Sequence, residues 1–148
     1  QAECAKLFQP RTIFRIVLGP QDFCFESDQI EKLTSSDWKL TTRMDRMGLR
    51  LSGPSLTHKI NADILSDGIV KGAVQIPGDG QPIILMADHQ TTGGYTKIAS
   101  VISTDLPALT RLAAHRSIRF TIVSQAEAEQ LARQKAALLS KVLPLEYH

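Results

Sequence analysis

Residues 69–86 read Ile-Val-Lys-Gly-Ala-Val-Gln-Ile-Pro-Gly-Asp-Gly-Gln-Pro-Ile-Ile-Leu-Met. Three short apolar runs, at 69–70, 73–76 and 83–86, are separated by glycine and proline at close intervals. Apolar runs of this length, bounded by turn-forming residues, are typical of β-strands, because helices need longer uninterrupted segments. The stretch therefore predicts consecutive short strands joined by tight turns.

Similar runs flank this stretch on both sides. Residues 12–18 read Thr-Ile-Phe-Arg-Ile-Val-Leu and end at Gly19-Pro20, and residues 118–123 read Ile-Arg-Phe-Thr-Ile-Val. Both runs are rich in β-branched and aromatic residues, which favour strands. Many short strands with frequent turns predict a mainly β fold, either a barrel or a sandwich, rather than a parallel α/β sheet.

Three segments are predicted to be helical instead. Residues 27–33 have an N-capping serine and apolar residues three positions apart, and a brief helical turn is expected at 106–112. Near the C-terminus, Ser124 and Glu127 form a capping box ahead of one long helix that should end before Pro144. The apolar side of this helix either packs on the β-structure or binds a partner.

The composition is that of one globular domain. The chain has 148 residues, of which 43% are hydrophobic and 22% charged, and its formal net charge is +2. A charge this small argues against a nucleic-acid-binding protein. No run approaches the roughly 18 apolar residues that span a bilayer. We therefore expect residues 1–148 to form a single cytoplasmic domain that binds neither nucleic acid nor membrane.

The N-terminus and the cysteines bear on localisation. The chain begins at Gln1 without a signal-peptide pattern, so we interpret it as a fragment of a longer cytoplasmic protein. Cys4 and Cys24 are the only cysteines, and their spacing fits no zinc motif. We expect free thiols and no metal site.

Two common nucleotide-binding motifs and one hydrolase motif are missing. Gly78-Asp79-Gly80 lacks the third glycine of a dinucleotide loop, because Ile83 stands in its place, and no Gly-Lys-Ser/Thr closes a phosphate loop. Residues 53–57 end in Thr57 where a nucleophile elbow needs glycine. The sequence therefore does not support a nucleotide site of either type.

The densest polar stretch, residues 87–98, reads Ala-Asp-His-Gln-Thr-Thr-Gly-Gly-Tyr-Thr-Lys-Ile and follows an apolar run. At a strand end, Asp88, His89 and Gln90 can supply an acceptor, a proton-transfer group and an amide to one small polar substrate. The same stretch also fits a polar hairpin with an incidental histidine, and the residues alone leave both interpretations open.

The second half of this stretch, residues 93–97, contains a glycine pair followed by two polar side chains two residues apart. Gly93-Gly94 would let the backbone approach a ligand closely or form the hairpin turn. If the chain is extended beyond this point, Tyr95 and Lys97 lie on one face of the strand, so that a phenol and an ammonium converge.

A second candidate site lies in residues 43–51, where three arginines surround Asp45. Guanidinium groups bind carboxylates and phosphates through paired hydrogen bonds. The alternative is a solvated, charged strand. His58 and Asp63 form a weaker pair that we assign to a surface loop.

Five segments, taken in order, resemble the carboxyltransferase subdomain A and B family, also called allophanate hydrolase subunit 2. The matching segments are Gly19-Pro20-Gln21-Asp22, Asp45-Arg46-Met47-Gly48 with Arg50-Leu51-Gly53-Pro54, Ser66-Asp67-Gly68-Ile69, Gln75-Ile76-Pro77 with Gly80-Gln81-Pro82, and Gln90-Thr91-Thr92-Gly93-Gly94-Tyr95.

The resemblance implies a cyclophilin-like β-barrel. Because family members are longer, the chain is expected to be the C-terminal half of a carboxyltransferase-type subunit that lacks its N-terminal half. The resemblance further implies the C-type subunit of a cytoplasmic, ATP-dependent 5-oxoprolinase. This enzyme converts 5-oxoproline to glutamate, and the chain would act in it together with A-type and B-type subunits.

Two alternatives follow from the same family. One is a carboxyltransferase component that moves a carboxyl group from carboxybiotin to urea or another small amide. The other, of a different class, is a regulatory binding partner of a B-type subunit. ATP would be used through the assembled complex, and biotin is expected in the carboxyltransferase alternative alone. The isolated fragment is expected to be inactive.

The resemblance also implies a site. The expected catalytic residues are Asp88, Tyr95, Lys97 and Arg46. The expected substrate-binding residues are Gln75, Gln81, Gln90, Thr91, Thr92, Gly93 and Gly94. One departure is His89, which stands where family members usually carry arginine, so a carboxylate-binding role does not transfer to that position.

Overall fold

The computed structural model describes residues 11–44, 47–60, 63–68, 70–86 and 92–142. Within these ranges the chain forms eight strands: β1 (Ile13–Leu18), β2 (Trp38–Met44), β3 (Gly48–Ser52), β4 (Asp63–Gly68), β5 (Ala73–Ile76), β6 (Ile83–Leu85), β7 (Thr92–Val101) and β8 (Ser117–Ile122). The helices are α1 (Ser27–Ser35), α2 (Leu106–Leu109) and α3 (Gln125–Val142), and Asp22–Cys24 form a single 3₁₀ turn.

Seven of these strands close into a ring. Their order is β1-β8-β2-β3-β6-β5-β7, and β7 pairs in turn with β1. The β1–β8 pair is parallel, and the β1–β7 pair is antiparallel. β4 lies outside the ring and pairs with β7. The predicted mainly β fold, with a barrel, short helices and one long C-terminal helix, is confirmed.

The interior of the barrel follows from alternation along the strands. β3 places Leu49 and Leu51 inside and exposes Arg50 between them. β8 does the same with Ile118 and Phe120. Successive side chains of a strand point to opposite faces, so β3 and β8 each contribute every second residue to the core.

β7 is shared among several partners. One of its edges pairs with β5, where Gln75 lies opposite Lys97. Its other edge pairs first with β4, where Asp63 lies opposite Tyr95, and later with β1, where Leu18 lies opposite Ala99. Between these two pairings, the chain that follows β1 supplies the hydrogen bonds: Gly19 N donates to the carbonyl of Ile98 at 2.9 Å.

A buried carboxylate fixes β1 beside the end of β7. The Asp105 side chain is fully buried and accepts four hydrogen bonds. Arg15 donates from its backbone N at 2.8 Å, from Nε at 3.1 Å and from Nη2 at 2.6 Å, and Arg11 donates from Nη1 at 3.0 Å. Asp105 follows β7 and Arg15 is in β1, so this ion pair holds together the two strands that close the ring.

Helix α3 begins as predicted, with the Ser124 hydroxyl accepting from the Glu127 backbone N at 3.1 Å. None of its residues is buried, and Val142 on its apolar side is 43% exposed. Packing on the barrel therefore covers this side incompletely, and partner binding stays a prediction. In the part of the chain that the structure describes, no helix is long and apolar enough to cross a membrane.

Replacing Asp105 with asparagine should lower the free energy of unfolding by about 2–4 kcal/mol, because two guanidinium groups lose a buried counter-charge. The matched control is Asp37→Asn, which breaks a 2.6 Å pair with Arg119 whose side chains are 68% and 52% exposed. This control should cost less than about 1 kcal/mol. Urea unfolding followed by the fluorescence of the single tryptophan measures both, and equal effects would contradict the assigned role.

Candidate functional site

The candidate site lies on β7, where the strand passes from solvent to the interior. β7 is extended from Thr92 to Val101, so Tyr95 and Lys97 share a face, as predicted. Tyr95 is 42% exposed and Lys97 is 2% exposed. The phenol is therefore accessible, while the ammonium two residues later is enclosed.

The backbone of Lys97 is held by a neighbouring residue, Gln21. Gln21 Oε1 accepts a hydrogen bond from Lys97 N at 3.0 Å, and Gln21 N donates to the carbonyl of Lys97 at 2.9 Å. These two bonds replace the strand partner that is missing between β4 and β1. Gln21 belongs to one of the segments that resemble the family, but its role was not predicted.

The ammonium of Lys97 is buried without a hydrogen-bond partner. Among side chains of the described residues, the buried polar atoms in this condition are Lys97 Nζ and Thr104 Oγ1. Burying a charge without a partner costs several kcal/mol, because the group loses its hydration and gains nothing in return. Folded proteins rarely retain such a group, and a functional role is one established reason for keeping it.

Two further residues surround Lys97 at the β5–β7 pairing. Gln75 lies opposite it in the strand pair and is 5% exposed. Thr96 is fully buried, and its hydroxyl donates to the carbonyl of Ile76 at 3.3 Å. Gln75, Tyr95 and Lys97, which were predicted to act together, are thus brought to one corner of the barrel.

His58 belongs to the same corner. Its Nε2 lies 2.9 Å from the carbonyl of Ile76 and 3.0 Å from Thr96 Oγ1, and its ring stands 4.8 Å from that of Phe25. A carbonyl can only accept, so Nε2 carries a proton and donates it to the carbonyl of Ile76. His58 is in a loop, as predicted, but its half-buried ring is bonded to two strands.

Gln81 has a structural role that the sequence did not indicate. Its Oε1 accepts from Gly53 N at 2.9 Å, and its Nε2 donates to the carbonyl of Gly53 at 3.1 Å. The side-chain amide thus bonds both polar groups of one backbone residue. Gln81 also lines a cavity of about 210 Å³ together with Arg43 and Arg50. Its predicted substrate-binding role stays a prediction.

Several predicted site residues lie outside the described residues: Arg46, Asp88, Gln90, Thr91 and the atypical His89. Thr92 and Gly93 are in β7 and pair with Gly68 and Asp67 of β4. Gly94 follows them and is half-buried. The roles of all these residues remain predictions.

Cys24 does not supply a nucleophile. It is a free thiol, as predicted, and is 3% exposed. Burial, together with the negative charge of Asp22, raises the pKa of this thiol. The reactive thiolate is therefore disfavoured at neutral pH.

Replacing Gln81 with alanine should lower the free energy of unfolding by about 1 kcal/mol, because Gly53 loses two hydrogen bonds. Gln130→Ala, at an exposed position of α3, is the control and should be neutral or slightly stabilising, since alanine is the better helix former. Urea denaturation measures both variants. An unchanged stability of Gln81→Ala would show that the bonds to Gly53 contribute nothing.

Comparisons with known proteins extend these observations. Residues 2–122 match the family model described as carboxyltransferase domain, subdomain A and B. The chain is 47% identical over 107 residues to the C subunit of 5-oxoprolinase from Haemophilus influenzae, covering 72% of this chain and 35% of that protein. It is 39% identical over 114 residues to the C subunit of 5-oxoprolinase from Escherichia coli K12, covering 77% and 37% respectively. The chain thus spans about a third of the length of these relatives.

Among solved structures, urea amidolyase of K. lactis superposes with a TM-score of 0.83 at 22% identity, covering 92% of this chain and 9% of that one. At this identity the likeness concerns the fold, and it agrees with the closed barrel. The family match covers the candidate site as well as the ring of strands. The chain therefore belongs to the carboxyltransferase subdomain A and B family.

Proposed function

We propose that this chain is the barrel-forming part of the C subunit of a cytoplasmic, ATP-dependent 5-oxoprolinase, which opens the lactam of 5-oxoproline to glutamate together with its A and B subunits. The observation that carries the proposal is the identity of 47% and 39% to two proteins named as the C subunit of 5-oxoprolinase. Both matches extend over more than two thirds of the chain, so they include the corner formed by β5 and β7.

The chemistry of this corner supports the same substrate. A lactam presents a carbonyl that accepts hydrogen bonds and an N–H that donates one. The Tyr95 hydroxyl can donate to the carbonyl, and the Gln75 amide can both donate and accept. Donors aimed at a carbonyl oxygen stabilise the negative charge that develops on it during attack at the carbonyl carbon.

ATP enters the proposal through the assembled complex, since the chain contains no phosphate-loop motif. Asp88, Gln90, Thr91 and Arg46 are proposed to complete the site in that assembly. Active sites commonly form where domains or subunits meet, which is consistent with a barrel that spans about a third of its relatives.

The test is ATP-dependent release of glutamate from 5-oxoproline by the complex of the full protein with its A and B subunits. Gln75→Leu should lower kcat/KM by at least about tenfold, because the lactam loses hydrogen bonds that a leucine cannot replace. Tyr95→Phe should have a similar effect through loss of one donor. The matched control is Gln130→Leu, the same substitution at an exposed site of α3, which should leave kcat/KM unchanged.

Two outcomes would contradict the proposal. Carboxyl transfer from carboxybiotin to urea, without glutamate release, would assign the chain to the carboxyltransferase alternative. A tight complex with the B subunit that turns over neither 5-oxoproline nor urea would assign it to the regulatory alternative.

A further inference from the structure

The two buried charged residues of the described chain, Asp105 and Lys97, differ in whether their charged groups have hydrogen-bond partners. Asp105 accepts four hydrogen bonds, three of them from the side chains of Arg11 and Arg15. Lys97 is almost as buried, and its Nζ has no hydrogen-bond partner. The fold neutralises one of its buried charges completely and leaves the other without a counter-ion among the described residues.

Lys97 is also held in place. Gln21 bonds both polar groups of its backbone, and β5 pairs with the other edge of the strand at Gln75. The backbone therefore cannot easily shift to carry the ammonium to solvent. A buried cation without a hydrogen-bond partner interacts strongly with an anion that reaches it, because folding has already removed most of its contact with bulk water.

The neighbours of Lys97 indicate what kind of anion this is. Tyr95 lies on the same face, with its Cα about 7 Å away by strand geometry. Gln75 lies across the β5–β7 pair. A phenol and a primary amide suit an uncharged amide group, and the ammonium suits a carboxylate. A single small molecule that contacts all three side chains needs both an amide and a carboxylate.

We propose that Lys97 binds the carboxylate of an acidic lactam substrate and is the residue that makes the site select acidic over neutral amides. This inference rests on the proposed function in taking 5-oxoproline as the ligand. A neutral lactam or urea would leave the ammonium unpaired throughout binding. A substrate carboxylate pairs it from the moment of binding, so the gain appears in ground-state affinity.

The experiment compares the affinity of the full protein, assembled with its partner subunits and without ATP, for L-5-oxoproline and for 2-pyrrolidinone. These ligands share the lactam ring, and the second lacks the carboxylate. Titration calorimetry should show 5-oxoproline binding at least about tenfold more tightly. In Lys97→Met the affinity for 5-oxoproline should fall to that for 2-pyrrolidinone, whose own affinity should not change. Lys39→Met, an exposed strand lysine, is the matched control and should behave like the unmodified protein.

A second measurement separates ligand binding from a structural role. Methionine resembles lysine in shape and carries no charge, so Lys97→Met should unfold at a higher urea concentration than the unmodified protein. A lower midpoint would show that Lys97 supports the fold and would overturn the inference. Unchanged affinity of Lys97→Met for 5-oxoproline would overturn it as well.

The failure of the inference and that of the proposed function give different results. Equal affinity of the unmodified protein for both lactams, or no binding of 5-oxoproline, overturns the inference even where ATP-driven ring opening is observed. Carboxylate-selective binding that depends on Lys97, without ATP-driven ring opening, overturns the proposed function and supports the inference.

Discussion

The pairing of β1 with β7 closes the ring, and the buried carboxylate of Asp105 holds these two strands together. β1 is the first strand of the described chain and β7 the seventh, so their contact joins residues far apart in sequence. Bringing such residues together costs chain entropy. A fully buried carboxylate that accepts four hydrogen bonds from partly exposed arginines and a backbone N offsets this cost where the ring closes. With the ring closed, every ring strand has two neighbours, so none of the seven is an edge strand.

The position of the candidate site depends on which strands pair with the edge of β7 where the ring closes. On the edge of β7 that meets β1, β4 occupies the first residues and β1 the last. Neither strand reaches the stretch between them, and Gln21 supplies the missing hydrogen bonds at Lys97. This interruption of the ladder coincides with the buried ammonium. The arrangement differs from a pocket built by loops, because its central residue is part of the barrel wall.

Local pattern predicted most of the elements. The runs at 12–18 and 118–123 match β1 and β8 to within one residue. Both runs are rich in β-branched residues, which favour the strand conformation over the helix. β4 was not predicted as a strand, because Asp63, Ser66 and Asp67 hide its alternation. The run predicted at 69–70 is not a strand at Val70, which is 63% exposed.

The common face of Tyr95 and Lys97 was predictable from strand geometry. The burial of Lys97 and the backbone bonds of Gln81 and His58 were not predictable, because they depend on residues that are distant in sequence and meet only in the folded chain.

The attachment of β4 has a consequence for motion. Of the described strands, β4 bonds to β7 alone, so it can separate without breaking a hydrogen bond of the ring. Local opening of this kind costs far less than global unfolding and is read out by early amide hydrogen exchange. Such an opening would uncover the edge of β7 at Tyr95, next to Lys97, while the β1–β7 closure stays intact. Global stability and exposure of the β7 edge at Tyr95 are therefore separable quantities in this barrel, and one can change during evolution without the other.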